Sequence, residues 1–162
     1  MIPIADDAPL HYIRHLTDEA ATLALGADLA KVLLADTVVY LHGNLGAGKT
    51  TLTRGILRGF GYGGKVKSPT YTLVEVYTVF KLHLYHFDLY RFNDASEWDD
   101  SGFGEYCNAA SICLIEWPEK AAERLPAPDL RLHLMPHGEG RHARIEAVSQ
   151  RGKLCLTRLS ES

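Results

Sequence analysis

Two rhythms of apolar and polar residues run through this chain. Leu25, Leu29, Val32 and Leu33 recur at helical spacing, and Thr17-Asp18-Glu19 stand ahead of them with a capping residue and acids that suit a helix N-terminus. The spacing predicts a first helix ending near Leu34. Thr37 to Leu41, TVVYL, is β-branched and aromatic without a polar break, the composition of a buried strand. A glycine-rich stretch, HGNLGAGKTT from His42 to Thr51, follows directly. From Lys49 to Phe60 the apolar positions Leu52, Ile56 and Leu57 share one helical face, and Gly61 supplies a stop.

Farther along, the period shortens to two. Tyr62 to Thr72, YGGKVKSPTYT, is rich in turn formers and reads as an exposed loop. TLVEVYT and KLHLYHFDLYR alternate in polarity around a short break at Val79 to Lys81, which predicts an antiparallel hairpin. Asn93 to Cys107 reads as short helix and loop. SICLI, from Ser111 to Ile115, is a second buried strand closed by Glu116-Trp117-Pro118, and a short helix is expected over Glu119 to Arg124 before the connection LPAPD. Three alternating runs, LRLHLMP, RHARIEAVS and KLCLTRL, predict an antiparallel tail. With no repeat, low-complexity tract or linker, one domain over residues 1–162 is expected, residues 1–10 forming an irregular N-terminal extension.

Composition narrows the function classes. Lysine and arginine total 17 against 20 acidic residues, a formal charge of -3, so the basic excess of an autonomous nucleic-acid binder is absent and a direct grip on RNA or DNA is disfavoured, a local basic patch aside. Acids in MIPIADDAPL stand where a secretory signal would carry basic residues, and no run approaches the roughly 18 apolar residues of a membrane span. Cys107, Cys113 and Cys155 form no C-x-x-C pair, so reduced thiols and a cytoplasmic setting are expected, without membrane association. His83 and His86, three apart on a strand, face opposite sides and are assigned no metal.

The glycine stretch carries the chemistry. Gly43-x4-Gly48-Lys49-Thr50 fits the phosphate-loop spacing: glycines let backbone N–H groups turn toward oxyanions, and the following helix aims unpaired amides and its positive end at the same place. Lys49 would reach the β- and γ-phosphates, and Thr50 would offer its hydroxyl to Mg²⁺. A second acid is needed for the metal or its water, and two fit, Asp88 in HFDLYR and Glu116 at the end of SICLI. Asp88 shares a strand face with His86 and Tyr90, so a structural hydrogen-bonded pair is the competing reading. Ser68, Thr70 and Thr72 resemble switch-loop hydroxyls that close on a γ-phosphate. Trp117 stands where it can stack on a base or a partner. No N-K-x-D guanine reader exists and no strand leads into Asp99-Asp100-Ser101-Gly102, which favours ATP over GTP. A small-molecule phosphate-loop kinase is the alternative, although Arg91, Arg141 and Arg144 are too scattered for an arginine lid; a nucleotide-gated binding module without useful hydrolysis is the third.

Taken together, LHGNLGAGKTTLTRG, VKSPTYTLVE, HFDLYR, ICLIEWP, LPAPDL and GRHAR, in that order, resemble the TsaE (YjeE) family, the ATPase subunit of the bacterial tRNA threonylcarbamoyladenosine machinery. The likeness runs from about Asp18 to Leu159. It implies an α/β fold of the phosphate-loop NTPase kind, a central, largely parallel sheet flanked by antiparallel strands and helices, binding ATP and Mg²⁺. Nucleotide contacts are then implied for Gly43, Asn44, Leu45, Gly46, Ala47, Gly48, Lys49, Thr50 and Thr51, for Ser68 and Thr70 of the switch-like loop, and for Glu19, Trp117 and Arg141. Thr50 and Glu116 are implied as metal ligands, and Lys49, Asp88 and Glu116 as the catalytic set. The resemblance also implies weak ATPase activity stimulated on an assembly of TsaB and TsaD, which hydrolysis would reset between rounds, with the chain working through these partners and no direct tRNA binding expected.

Overall fold

A computed structural model of the chain describes residues 10–44 and 48–161. Seven strands form one sheet in the order β1-β7-β6-β2-β5-β4-β3. Its centre is parallel: β2 (Val38–His42) lies between β5 (Ser111–Glu116) and β6 (Leu130–His137), and β4 (Leu82–Asp88) adds beside β5. Antiparallel strands complete both flanks, β3 (Val74–Val79) on β4, and β7 (Gly140–Ala147) followed by β1 (His11–Leu16) on β6. The expected hairpin is therefore β3–β4, turning at Phe80 and Lys81, and the expected mixed sheet with a parallel centre is present.

The first helix, α1 (Glu19–Val32), starts where the capping pattern places it, with the Asp18 carboxylate accepting from the Ala21 N–H at 2.8 Å. The second, α2 (Lys49–Gly59), ends ahead of Gly61, whose φ of +99° takes the chain out of the helix. These two helices meet backbone to backbone. A Cβ on Gly26 would lie 2.7 Å from Ile56 N, and one on Gly55 would lie 2.5 Å from Leu23 O, so only glycine permits this approach. The contact fixes the start of α2 against the sheet end. Leu25, Leu29, Leu52 and Ile56 fill the core on this side, and Phe87, Trp98, Phe103 and Ile115 fill a second core on the opposite side beneath α3 (Ser96–Ser101) and a 3-10 turn at Phe103–Tyr106. The short helix expected over Glu119 to Arg124 is two 3-10 turns, Pro118–Lys120 and Ala122–Arg124.

Two elements differ from the sequence expectation. KLCLTRL is not a third tail strand; it belongs to α4 (Gln150–Ser160). The Ser149 side chain caps that helix by accepting from the Gly152 N–H, and its hydroxyl donates to Asp129 at 2.6 Å. Once capped, the run buries Cys155, Leu156 and Leu159 at helical spacing while Leu154 stays exposed, so the apparent alternation was too short to distinguish the two periods. HYIRHL, for which no element was predicted, forms β1, an edge strand whose pattern of half-buried polar residues carries little period-two signal.

Candidate nucleotide site

β2 carries four buried residues to the sheet's C-terminal edge and ends at His42. Gly43 and Asn44 continue the loop; Leu45, Gly46 and Ala47 lie outside the described residues. At Gly48 the backbone takes φ +99°, a left-handed value that favours glycine, and α2 begins at Lys49. A Cβ on Gly48 would stand 2.9 Å from Arg141 Nε, so glycine here also admits the arginine of β7. The first amides of α2 have no intrahelical acceptors and, with the helix dipole, make this end attractive to anions.

Four charged or ionisable side chains converge on that end. Lys49 is 6% exposed; its ammonium donates to Gly43 O at 2.5 Å, pairs with Glu116 Oε1 at 3.0 Å and sits 5.1 Å from the Trp117 ring centroid. The other Glu116 oxygen meets His86 Nε2 at 2.6 Å. Since an ionised carboxylate only accepts, His86 donates there, and its buried Nδ1 has no partner among the described residues. Asp88 is level with Glu116 in the β4–β5 register and accepts from the Tyr90 N–H at 2.9 Å.

The two carboxylates are pushed in opposite directions. Burial raises the Asp88 pKa, the Tyr90 N–H opposes this, and the Glu116 charge raises it further. For Glu116 burial also acts upward, but the hydrogen bond and charge of His86 together with Lys49 outweigh it and hold the pKa below the usual value. Neighbouring acids whose surroundings separate their protonation behaviour are a feature of reactive sites.

A cavity of about 230 Å³ opens between these groups. Its lining is Gly48, Lys49, Thr50 and Thr51 at the start of α2, Asp88 and Glu116 at the ends of β4 and β5, Ser68 and Thr70 of the loop before β3, and Arg141 of β7. All nine are residues singled out in the sequence. The hydroxyls of Ser68 and Thr70 are 2.7 Å apart, whereas Thr72 turns away and donates to Glu75 at 3.1 Å. Asn44 and Trp117 flank an adjoining hollow of about 70 Å³ rather than the cavity itself. Glu19 does not line either space; it pairs with Arg54 at 3.5 Å on the exposed start of α1.

Sequence reasoning placed His86 with Asp88 and overlooked its bond to Glu116. Its signal was diagonal adjacency across β4 and β5, which becomes visible only once the register is known. Trp117, expected to stack on a base or a partner, has a left-handed backbone, φ +57°, a conformation that costs a non-glycine residue about 1–3 kcal/mol and clusters at functional sites.

A mixed sheet with a parallel centre, whose strand β2 leads to Gly43 and, beyond Gly48, to a helix start with a buried lysine and two carboxylates beside it, defines an α/β protein of the phosphate-loop kind. The comparisons with known proteins agree. The family model "Threonylcarbamoyl adenosine biosynthesis protein TsaE" matches residues 16–144. The tRNA threonylcarbamoyladenosine biosynthesis protein TsaE of Haemophilus influenzae is 43% identical over 152 residues, covering 91% of this chain and 96% of that protein. The Bacillus subtilis protein of the same name is 40% identical over 124 residues, covering 76% and 77%. Among solved structures, Bacillus subtilis YdiB superposes with a TM-score of 0.82 at 28% identity, covering 96% of this chain and 98% of that one. The chain belongs to the TsaE family.

Proposed function

We propose that this protein binds ATP with Mg²⁺ in the cavity at the start of α2, hydrolyses it slowly, and acts in tRNA threonylcarbamoyladenosine biosynthesis by docking on a TsaB–TsaD assembly. The observation that carries this reading is the convergence of buried Lys49 with Thr50, Asp88, Glu116 and the Ser68–Thr70 pair on one cavity. A triphosphate is recognised by the α2 amides and by Lys49, which exchanges its contacts with Gly43 O and Glu116 for phosphate oxygens. Arg141, close beside Gly48, adds a further positive charge to the same lining.

The donor set fits a hard cation. Thr50 and Glu116 offer oxygens, and among the described residues no group of three or more His, Cys, Asp or Glu could hold a metal alone. Mg²⁺ suits such a site because it usually combines one or two protein oxygens with phosphates and water. When bound it neutralises charge on the phosphates. His86 keeps Glu116 ionised and oriented, and Asp88, more basic than an ordinary aspartate, orients the attacking water. The Ser68–Thr70 pair gives the loop a means of sensing the γ-phosphate, so nucleotide state becomes a docking surface. With no cation supplied by a partner, hydrolysis by the isolated chain is slow. A cytoplasmic setting belongs to the same reading; no helix among the described residues is long and apolar enough to cross a membrane.

Calorimetry with ATP and Mg²⁺, followed by hydrolysis measured alone and with TsaB–TsaD, tests this function. Binding, slow turnover and stimulation by the assembly are expected, with Lys49→Ala abolishing uptake. Absence of nucleotide uptake by folded protein overturns the binding reading, and absence of stimulation overturns the docking reading.

A further inference from the structure

Glu116 meets a different donor on each of its two oxygens. Oε1 lies 3.0 Å from the Lys49 ammonium and Oε2 lies 2.6 Å from His86 Nε2. Lys49 and Glu116 both line the phosphate cavity, whereas His86 is not among the lining residues, so the carboxylate turns one oxygen toward the cavity side and the other toward the protein interior. Both side chains are withdrawn from solvent, Glu116 keeping 5% of its exposure and His86 none. The two contacts respond differently to a ligand. Lys49 is the group that exchanges Glu116 for phosphate oxygens, which releases Oε1. His86 has no such alternative. It stands on β4 with Leu84 and Asp88 on the same face, and that strand is paired on both sides, with Glu75 of β3 and Leu114 of β5 as the Cα partners of His86. Its Nδ1 has no partner among the described residues, so breaking the bond to Oε2 would leave a fully buried ring with no hydrogen bond at either nitrogen, which is costly.

A cation at Glu116 therefore meets a carboxylate with one oxygen already engaged. Taking both oxygens would make it share Oε2 with an N–H that points at the same atom; taking Oε1 alone disturbs no bond to His86. Thr50 contributes a single hydroxyl, so whether Glu116 gives one oxygen or both decides how many the protein supplies. That number separates two hard cations. Mg²⁺ keeps several waters and needs few protein oxygens in a tight octahedron, while Ca²⁺ is larger, gathers about six to eight oxygens and readily takes a carboxylate by both.

We infer that His86 is a positioning residue that holds Glu116 as a one-oxygen ligand and thereby makes the site select Mg²⁺ over Ca²⁺. The inference rests on the ATP reading of the cavity and adds to it the cation that the chain's own residues choose. A pair that merely filled space beneath the cavity would leave that choice to the nucleotide. Calorimetric titration of the full chain with ATP, with Mg²⁺ or Ca²⁺ saturating the nucleotide and again in EDTA, tests it on the wild type, His86→Gln and His86→Asn. The Gln amide nitrogen reaches about as far as Nε2 and restores the donor, whereas the Asn amide ends near the Nδ1 position and falls short of Glu116. The wild type is expected to bind ATP at least about tenfold more tightly with Mg²⁺ than with Ca²⁺. His86→Asn should weaken uptake with Mg²⁺ by about tenfold and leave uptake in EDTA unchanged, and His86→Gln should keep most of the preference. Nitrogen NMR of the wild-type imidazoles needs no variant: the His86 Nε2 proton should stay hydrogen-bonded when Mg²⁺ and ATP are added. Equal affinity with the two cations in the wild type, an undiminished preference in His86→Asn, equal loss in both variants, or loss of the Nε2 hydrogen bond on adding Mg²⁺ and ATP would each overturn the inference. A folded wild type that takes up no ATP under any of the three conditions overturns the ATP reading instead.

Discussion

At the scale of single residues, the site sets two neighbouring buried carboxylates under opposite electrostatic pressures. Asp88 is buried beside Glu116 and its pKa is raised, so its ionised form is destabilised in the fold. A raised value means that the stability Asp88 contributes is present below the unfolded pKa, about 3.9, and is lost as pH rises through the folded one. Asp88→Asn keeps the oxygen that accepts from Tyr90 and removes the charge. It should therefore raise stability at pH 7 by about 0.5–2 kcal/mol while abolishing hydrolysis, and the gain should vanish below about pH 4. Glu116 has the opposite sign. Its lowered pKa means a contribution present above the unfolded value of about 4.3 and lost as pH falls through the folded one. Glu116→Gln should destabilise by about 3 kcal/mol at pH 7 because Lys49 loses a buried partner. Denaturant unfolding of both variants across that pH range reads the two signs directly; equal signs would refute the account of how the pair is held.

Between elements, the α1–α2 contact transmits the fold to the phosphate loop. Gly55 has no room for a methyl group: a Cβ there would be 2.5 Å from Leu23 O, which is backbone and cannot swing aside. Gly55→Ala should thus destabilise by about 1–3 kcal/mol, despite alanine's better helix propensity, and weaken nucleotide uptake by displacing Lys49 at the other end of α2. Thermal unfolding and calorimetry on the variant check both parts. Long, periodic elements of this kind were legible in the sequence: α1, α2, the buried β2 and β5 and the β3–β4 hairpin lie where spacing placed them. What escaped was set by partners distant in the chain. β1 exists because β7 offers it an edge, and α4 is anchored through Ser149 to Asp129, which also accepts from the Val38 N–H at 2.8 Å. Gly48 to Thr51 were legible because the phosphate-loop spacing is local, and Arg141 only through the family resemblance, whereas the His86–Glu116 bond depends on register between two strands joined by a long excursion.

Across the whole molecule, the sheet joins the separate segments that surround the cavity, so ligand binding should be felt as global stability. The start of α2, the Ser68–Thr70 loop, the ends of β4 and β5 and the start of β7 each contribute to the lining, so the cavity exists only where the sheet holds them together. A ligand that binds only the folded state at a hundredfold excess over its Kd adds about 2.7 kcal/mol. For a chain of this size each kcal/mol shifts the unfolding midpoint by about 2–4 °C, so saturating ATP with Mg²⁺ should raise it by about 5–10 °C. ATP without the metal should give a smaller rise, because phosphate charge then faces Asp88 and Glu116 without compensation. Lys49→Ala should show no shift with either. Differential scanning calorimetry of the full chain makes the comparison, and a rise that is identical with and without Mg²⁺ would separate the carboxylates from the metal and leave the amides of α2 and Lys49 as the only recognition elements.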